Sequence, residues 1–480
     1  MVLIYKQCIY FSLVVTVTLA SCVVKKYQHP GVAVEGNLFR DTATSNTIST
    51  DSLLADTISI ADLPYTELFS DTVLQNLIAI GIGQNIELKT AVQRINEARA
   101  GLLQSKAAFL PSLEGSTNFT RNKLSRASIN LPPDFIGTFP LTTSSFVASL
   151  GTSWEADIWG KLSSAKRNAV ANLLKSDAAK RAVQTQLVAN IATYYYQLLA
   201  LDQQLKVTLQ TVQNRIDDVN TMKLLKESAV VTGAAVVQSE ANRYAAEVTI
   251  PDLKRNIRET ENAFNILLGR TAGAIPRTSL VEQNPYTTLS IGIPSQLLLN
   301  RPDVQEAEFS FRAAFENTNL AHTYFYPQLT LTAEGGISTL QIKNFFNRSI
   351  FYNIIGGLTQ PIFNKRQNTA RLRIAQAQQT EAYYAYQQSL LNAGAEVSNS
   401  LYAYQAAMEK QSSRRLQLQA LEKAVDYTKQ LLRYSAATNY TDVLTSEQAL
   451  LAAQLSSIDD RLQQLRAVVD LYRALGGGWR

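Results

Sequence analysis

Leu224-Leu225-Lys226-Glu227-Ser228-Ala229 returns as Leu431-Leu432-Arg433-Tyr434-Ser435-Ala436, about 207 residues later in a chain of 480. Val236-Val237-Gln238-Ser239-Glu240 returns at the same offset as Val443-Leu444-Thr445-Ser446-Glu447, and Leu267-Leu268-Gly269 as Ala474-Leu475-Gly476. Upstream, Phe109-Leu110-Pro111-Ser112-Leu113 answers Phe325-Tyr326-Pro327-Gln328-Leu329 at a slightly longer offset, as expected when insertions fall in loops. Solenoid units repeat every 20 to 50 residues or so, and a spacing this long marks the duplication of a whole domain. The reading places a first repeat at 61–270, a connection at 271–293 and a second repeat at 294–480. Two quasi-equivalent units side by side suit a protein that closes a ring.

Between the repeated signatures the chain reads as long helices. From Lys161 to Lys226 there is no proline or glycine, and apolar residues alternate spacings of three and four: Leu187, Ile191, Tyr194, Leu198, Leu201, Leu205. That is a coiled-coil-like seam. The stretch from Gln367 to Leu432 behaves the same way, broken only by Gly394. Each would be about 100 Å long at 1.5 Å per residue, more than a globular domain needs. Shorter helical partners follow at about 233–268 and 441–475, the first kinked by Pro251, which removes one backbone bond and crowds the preceding turn.

Four segments change period. At about 112–121, 144–155, 328–338 and 350–360 every second residue is apolar or small, as in Leu329, Leu331, Ala333, Gly335 and Ile337 against Thr330, Thr332, Glu334 and Ser338. Such alternation fits a membrane β-barrel strand and equally a half-buried strand of a soluble sheet. Pro111 and Pro327 end a helix and open a strand. The strands come two per repeat, set between long helices. Four strands cannot close a barrel, for which about eight is the practical minimum. Three copies would supply twelve and remove every exposed edge. The expected fold class is therefore membrane α+β: a trimeric, 12-stranded β-barrel with four strands per chain, continued by a long α-helical barrel. The segments at about 121–143, with Pro132-Pro133, and 339–349 would be its external loops.

The N-terminus reads as a secretory signal over residues 1–21. Lys6 gives the positive end, and Ile9 to Ala20 give an apolar run too short to span a bilayer. It closes in Leu19-Ala20-Ser21-Cys22, similar to a bacterial lipobox, which makes Cys22 the lipidation candidate. Residues 22–60, rich in Ser, Thr and Asp, read as a tether from the lipid to the fold. The other cysteine, Cys8, leaves with the signal, so no disulfide is expected. A net charge of +6 spread along the chain gives no nucleic-acid footprint. The two histidines, His29 and His322, belong to no metal-ligand cluster, and no nucleophile elbow or phosphate loop appears. No catalysis and no cofactor are expected.

Four motifs, in order, carry a resemblance. They are Trp154-Glu155-Ala156-Asp157-Ile158-Trp159-Gly160-Lys161, Arg301-Pro302-Asp303-Val304-Gln305-Glu306-Ala307-Glu308, Gln360-Pro361-Ile362-Phe363-Asn364 and Leu475-Gly476-Gly477-Gly478-Trp479. With the lipobox and the duplication, the chain resembles the TolC-type outer-membrane efflux proteins, in their lipoprotein branch. The resemblance implies a passive exit duct for drugs, toxic organics or metal ions in the bacterial outer membrane, lipid-anchored and reaching into the periplasm. Its implied partners are two further copies, a periplasmic adaptor, an inner-membrane pump and outer-membrane lipid.

It also implies where function sits: at the turns joining each long helix to its partner. Ser228, Ala229, Ser435 and Ala436 become the adaptor-contact positions, with Ala436 where the family usually has glycine. Asp442 aligns with an acidic gate residue, braced by Tyr434 and Arg433. Its first-repeat equivalent is Ala235, so a trimer would show three carboxylates there. Asp442 also suits the positive start of a helix, a purely structural role. Two other readings compete. A duct for protein secretion shares the fold but not the lipoprotein motifs. A lipid-anchored coiled-coil scaffold or adhesin needs no strands.

Overall fold

The computed structural model describes residues 24–30, 59–125, 127, 140–286, 300–434 and 440–480. Nine α-helices and four strands lie among them. Helices α1 (Tyr65–Leu68), α2 (Thr72–Gln84) and α3 (Ile86–Ala107) precede β1 (Ser112–Lys123) and β2 (Thr142–Ala156). The long α4 (Lys161–Glu227) follows, then α5 (Gly233–Glu247) and α6 (Thr249–Leu267). The second half runs α7 (Pro302–Thr323), β3 (Gln328–Thr339), β4 (Ile350–Thr359), the long α8 (Gln367–Tyr434) and α9 (Tyr440–Ala474). The expected strands and long helices fall within about two residues of their sequence bounds.

The kink expected from Pro251 is present as a break between two helices. The partner of α4 is two helices, parted at Val248, three residues before Pro251. A proline ring collides with the carbonyl four residues back, here that of Glu247, so the break falls ahead of the proline. Pro132-Pro133 lie outside the described residues.

Two compact units emerge, each drawing on both halves of the chain. The first contains Asn96–Leu174 and Glu308–Tyr384, and with them the sheet, whose strands run antiparallel in the order β1-β2-β3-β4. The register aligns the apolar alternation of every strand. Gly115, Leu150, Gly335 and Tyr352 form one row, and Leu113, Thr152, Ala333 and Ile354 the next. Phe119 and Phe146 face each other with ring centroids 4.8 Å apart. A one-residue slip would scatter these side chains onto both faces, so the register is a consequence of the pattern. The opposite face is mostly polar, with Val147, Phe351 and Ile355 as its apolar members. Glu114, Gly151, Glu334 and Asn353 share a row, and Ser116 and Ser149 hydroxyls lie 3.0 Å apart. β1 and β4 are the edges.

Residues 24–30 lie along α7 in the same unit. The Tyr27 ring packs against Phe311 and Phe315, with the Arg312 guanidinium 5.4 Å from its centre.

The second unit holds the main core, where α4 is buried on more than its seam. Val188, Ile191, Tyr195, Leu198 and Leu199 are almost inaccessible. Seam spacing alone exposes Tyr195 and Leu199, but α2 also packs here through Leu74, Leu77 and Ile78. Asp71, at the N-cap of α2, accepts hydrogen bonds from Tyr195 (2.6 Å), Thr278 (2.5 Å) and Gln283 (2.8 Å). Burial works to raise its pKa, but these donors outweigh it and hold the carboxyl below its usual range.

Candidate functional site

Each sheet half must hand its chain to a long helix, and the first handover is tightly made. The Asp157 carboxylate accepts hydrogen bonds from the backbone N–H groups of Leu162 (2.8 Å) and Ser163 (2.9 Å) and from the Ser163 hydroxyl (2.5 Å). These satisfy orphan donors of the first turn of α4 and set a negative charge at its positive end. Lys161 Nζ lies 2.9 Å from both Glu155 oxygens. The Trp159 indole stacks on Tyr326 and donates to the Pro327 carbonyl at 2.7 Å. Gly160 sits at φ +73°, and a Cβ there would come within 2.8 Å of Val24. Glu155, Asp157, Trp159, Gly160 and Lys161 of this motif each therefore have a structural task.

The second handover, between β4 and α8, has side-chain ties at its ends and one turn bond inside, from the Gln367 N–H to the Asn364 carbonyl at 3.0 Å. Gln360 donates to the Phe325 carbonyl at 3.0 Å and Asn368 to the Tyr324 carbonyl at 2.7 Å. Between them Ile362 is 98% exposed and Phe363 83%. Lys365 (φ +53°) and Arg366 (φ +62°) are consecutive left-handed residues without being glycine.

The other two motifs meet each other. Arg301, 5% exposed, donates to the Ala474 carbonyl at 2.8 Å and bridges Asp303 (2.6 Å) and Glu396 (2.9 Å). Gly476, at φ +87°, lies against the Asn300 carbonyl, which a Cβ would meet at 2.7 Å. Arg301-Pro302-Asp303 and Leu475-Gly476-Gly477 are thus two sides of one joint.

At the first hairpin turn α4 ends in a Schellman motif. Val230 N–H donates to the Leu225 carbonyl at 2.8 Å and Ala229 N–H to Lys226 at 3.0 Å. Ala229 takes the left-handed position at φ +54°, where glycine costs least. The Ser228 hydroxyl returns to the Leu224 carbonyl at 3.0 Å. At the second turn, Ser435, Ala436 and the Arg433 side chain lie outside the described residues. Tyr434 ends α8 with its ring 84% exposed. Asp442 is exposed in the first turn of α9. Its first-repeat equivalent, Ala235, packs on a small core of Met222, Val236, Tyr440 and Leu444.

One residue near these tips is invisible to sequence reasoning. Lys429 on α8 bridges Asp218 on α4 (3.1 Å) and Glu447 on α9 (2.5 Å). Burial pushes the Glu447 carboxyl above its usual value, and the negative charge of Asp218 adds to that, against the hydrogen bond from Lys429. Nothing in the local sequence pairs residues 211 positions apart.

His29 lies 3.4 Å from Glu308, and His322 beside the rings of Phe325 and Tyr326. Among the described residues no three His, Cys, Asp or Glu side chains group to hold a metal ion, and no helix is long and apolar enough to cross a membrane. The polar sheet face instead forms a trough of about 330 Å³ containing Glu114, Glu334 and Asn353.

A sheet with one continuous apolar face, joined to helices of 67 and 68 residues, describes a class of membrane channel. The chain belongs to the outer membrane efflux protein family, whose model matches residues 78–270 and 293–477. It is similar to the pyoverdine export outer membrane protein OpmQ of Pseudomonas putida, 29% identical over 423 residues, 88% of this chain and 89% of that protein. The probable outer membrane lipoprotein SilC of Salmonella typhimurium is 28% identical over 470 residues, 96% of each. Among solved structures, the outer-membrane channel OprN superposes with a TM-score of 0.84 at 21% identity, over 95% of this chain and 99% of that one. The protein is an outer-membrane efflux duct, and its fold is that of the TolC-type channels.

Proposed function

We propose that three copies close into a passive duct through which a pump and a periplasmic adaptor expel small molecules, without any catalytic step. The observation that carries this is the sheet. Its outward apolar face is continuous across four strands, yet β1 and β4, of 12 and 10 residues, present open edges. In a bilayer no backbone edge can stay unpaired, because each unmet group costs several kcal/mol, roughly, in a medium without water. Pairing β4 of one copy with β1 of the next satisfies both edges and turns the polar trough inward.

On this reading 61–270 and 294–480 act as quasi-equivalent repeats joined by 271–293, and residues 22–60 tether the fold to a lipid on Cys22 left after loss of 1–21. The turns at Ser228, Ala229, Ser435 and Ala436 meet the adaptor. Asp442, Tyr434 and Arg433 narrow the periplasmic end, and SilC's description as a lipoprotein supports the anchor. Protein purified in mild detergent should have the mass of three chains and conduct ions in planar bilayers. A monomer retaining all its β-structure would overturn the reading.

A further inference from the structure

The second handover is the feature that the duct leaves unexplained. Ile362 and Phe363 rank among the most exposed large apolar side chains, yet nothing in their own unit covers them. Soluble surfaces tolerate single exposed apolar residues, but an adjacent pair beside two cations is the pattern of a water–lipid boundary. Residues 360–380 carry Lys365, Arg366, Arg371 and Arg373 and no acidic residue. Among the described residues neither Lys365 nor Arg366 enters a salt bridge. Both adopt left-handed backbone, which side-chain-bearing residues rarely do and which persists where a site demands it.

The segment also continues the membrane-facing surface. It follows β4 directly, three residues beyond the last sheet pair, Gln328 with Thr359, and β4 ends with Leu358 exposed on the apolar face beside Leu329. The long helix begins at once after it, so this is the end of the sheet that faces the periplasmic leaflet.

We propose that Ile362-Phe363 inserts as an interfacial wedge into the inner leaflet of the outer membrane, and that Lys365 and Arg366 hold the phosphate of an anionic glycerophospholipid there. The proposal rests on the sheet spanning the membrane. Each cation near a charged lipid surface adds attraction that uncharged headgroups do not offer, while the wedge gains from any acyl chain. Headgroup preference and overall affinity thus belong to different residues of the same turn.

The test uses the full chain in non-ionic detergent, with binding of short-chain phosphatidylglycerol and phosphatidylcholine counted by native mass spectrometry. Phosphatidylglycerol should bind more tightly, and Lys365→Gln and Arg366→Gln should each lower its affinity about fivefold while leaving phosphatidylcholine unchanged. Ile362→Ser with Phe363→Ser should weaken both lipids. Equal affinity for the two lipids in the unaltered chain, or a preference that survives loss of both cations, would refute the site. So would loss of the oligomer with lipid binding intact in the Ser variant, which would make the wedge a contact between copies. Channel conductance is measured in parallel. The duct reading fails if the unaltered chain does not conduct, whereas the lipid site fails with conductance preserved.

Discussion

The two strand-to-helix handovers perform one topological task with opposite economies. At Trp154–Lys161 the polar side chains find partners within the chain, Trp159 stacks on Tyr326, and the left-handed position is given to Gly160. At Gln360–Arg366 the turn is held at its ends, the apolar pair faces outward, and the left-handed positions fall to Lys365 and Arg366. Turning a chain from strand into helix evidently requires only the first arrangement. The second keeps hydrophobic surface, charge and some backbone strain available to the surroundings. The same contrast recurs among the lysines: Lys161 and Lys429 are bridged by carboxylates, Lys365 is not.

The comparison breaks first if the apolar sheet face is not the one turned to lipid. Leu331→Arg should cost about 2–4 kcal/mol if it lies near mid-bilayer, whereas Thr330→Arg on the polar face should be tolerated. Folding yields into lipid vesicles at graded urea would report both, and equal costs would remove the assignment of faces. Next comes the difference between stapled and bare aromatics. Trp159→Ala should destabilise by about 2 kcal/mol, somewhat less than a fully buried ring, while Phe363→Ala in detergent should stay within about 0.5 kcal/mol. Thermal unfolding of the two variants side by side would decide it, and matching losses would show that the second turn is packed after all.

A smaller effect tests the strain. Lys365→Gly should stabilise the detergent-solubilised protein by about 1 kcal/mol by relieving φ +53°, and Ala229→Gly should do the same at the first hairpin turn. No gain at Lys365 with a gain at Ala229 would mean that the junction is not strained. The smallest effect concerns the bridged lysine. The folded pKa of Glu447 lies above its ordinary 4.5, so the ionised form subtracts stability. That penalty is complete above the folded pKa, shrinks as pH falls through it and is gone below 4.5. Glu447→Gln should flatten the dependence of melting temperature on pH across that window. An unaltered slope would exclude Glu447 as its source.

Much of this architecture was legible because it is periodic. The α4 and α8 sequences keep their three-and-four spacing for many turns, and each strand keeps an apolar or small residue at every second position, so residue pattern alone located both within about two residues. The kink expected from Pro251 falls at Val248, in the turn before the proline, where its ring crowds the backbone. Tertiary facts left no local trace. The burial of Tyr195 depends on α2, the Lys429 bridge on three helices, and the exposure of Phe363 on an absence of neighbours. Of the candidate site, Ala436 was singled out for standing where the family usually has glycine, and the left-handed φ of its first-repeat counterpart Ala229 gives such a departure a physical meaning. The roles proposed for Asp442 and Tyr434 would depend on neighbouring copies, which the pattern of one chain does not specify.

The open edges of β1 and β4 carry a genetic consequence under the proposed closure. An edge mutation that leaves the chain itself well folded would still spoil any ring it joins, since each copy supplies one edge to each neighbour. In a cell making damaged and sound chains in equal amounts, only about one ring in eight would escape. Edge lesions should therefore be dominant, whereas lesions that leave the chain unable to fold should be recessive because their products never reach assembly.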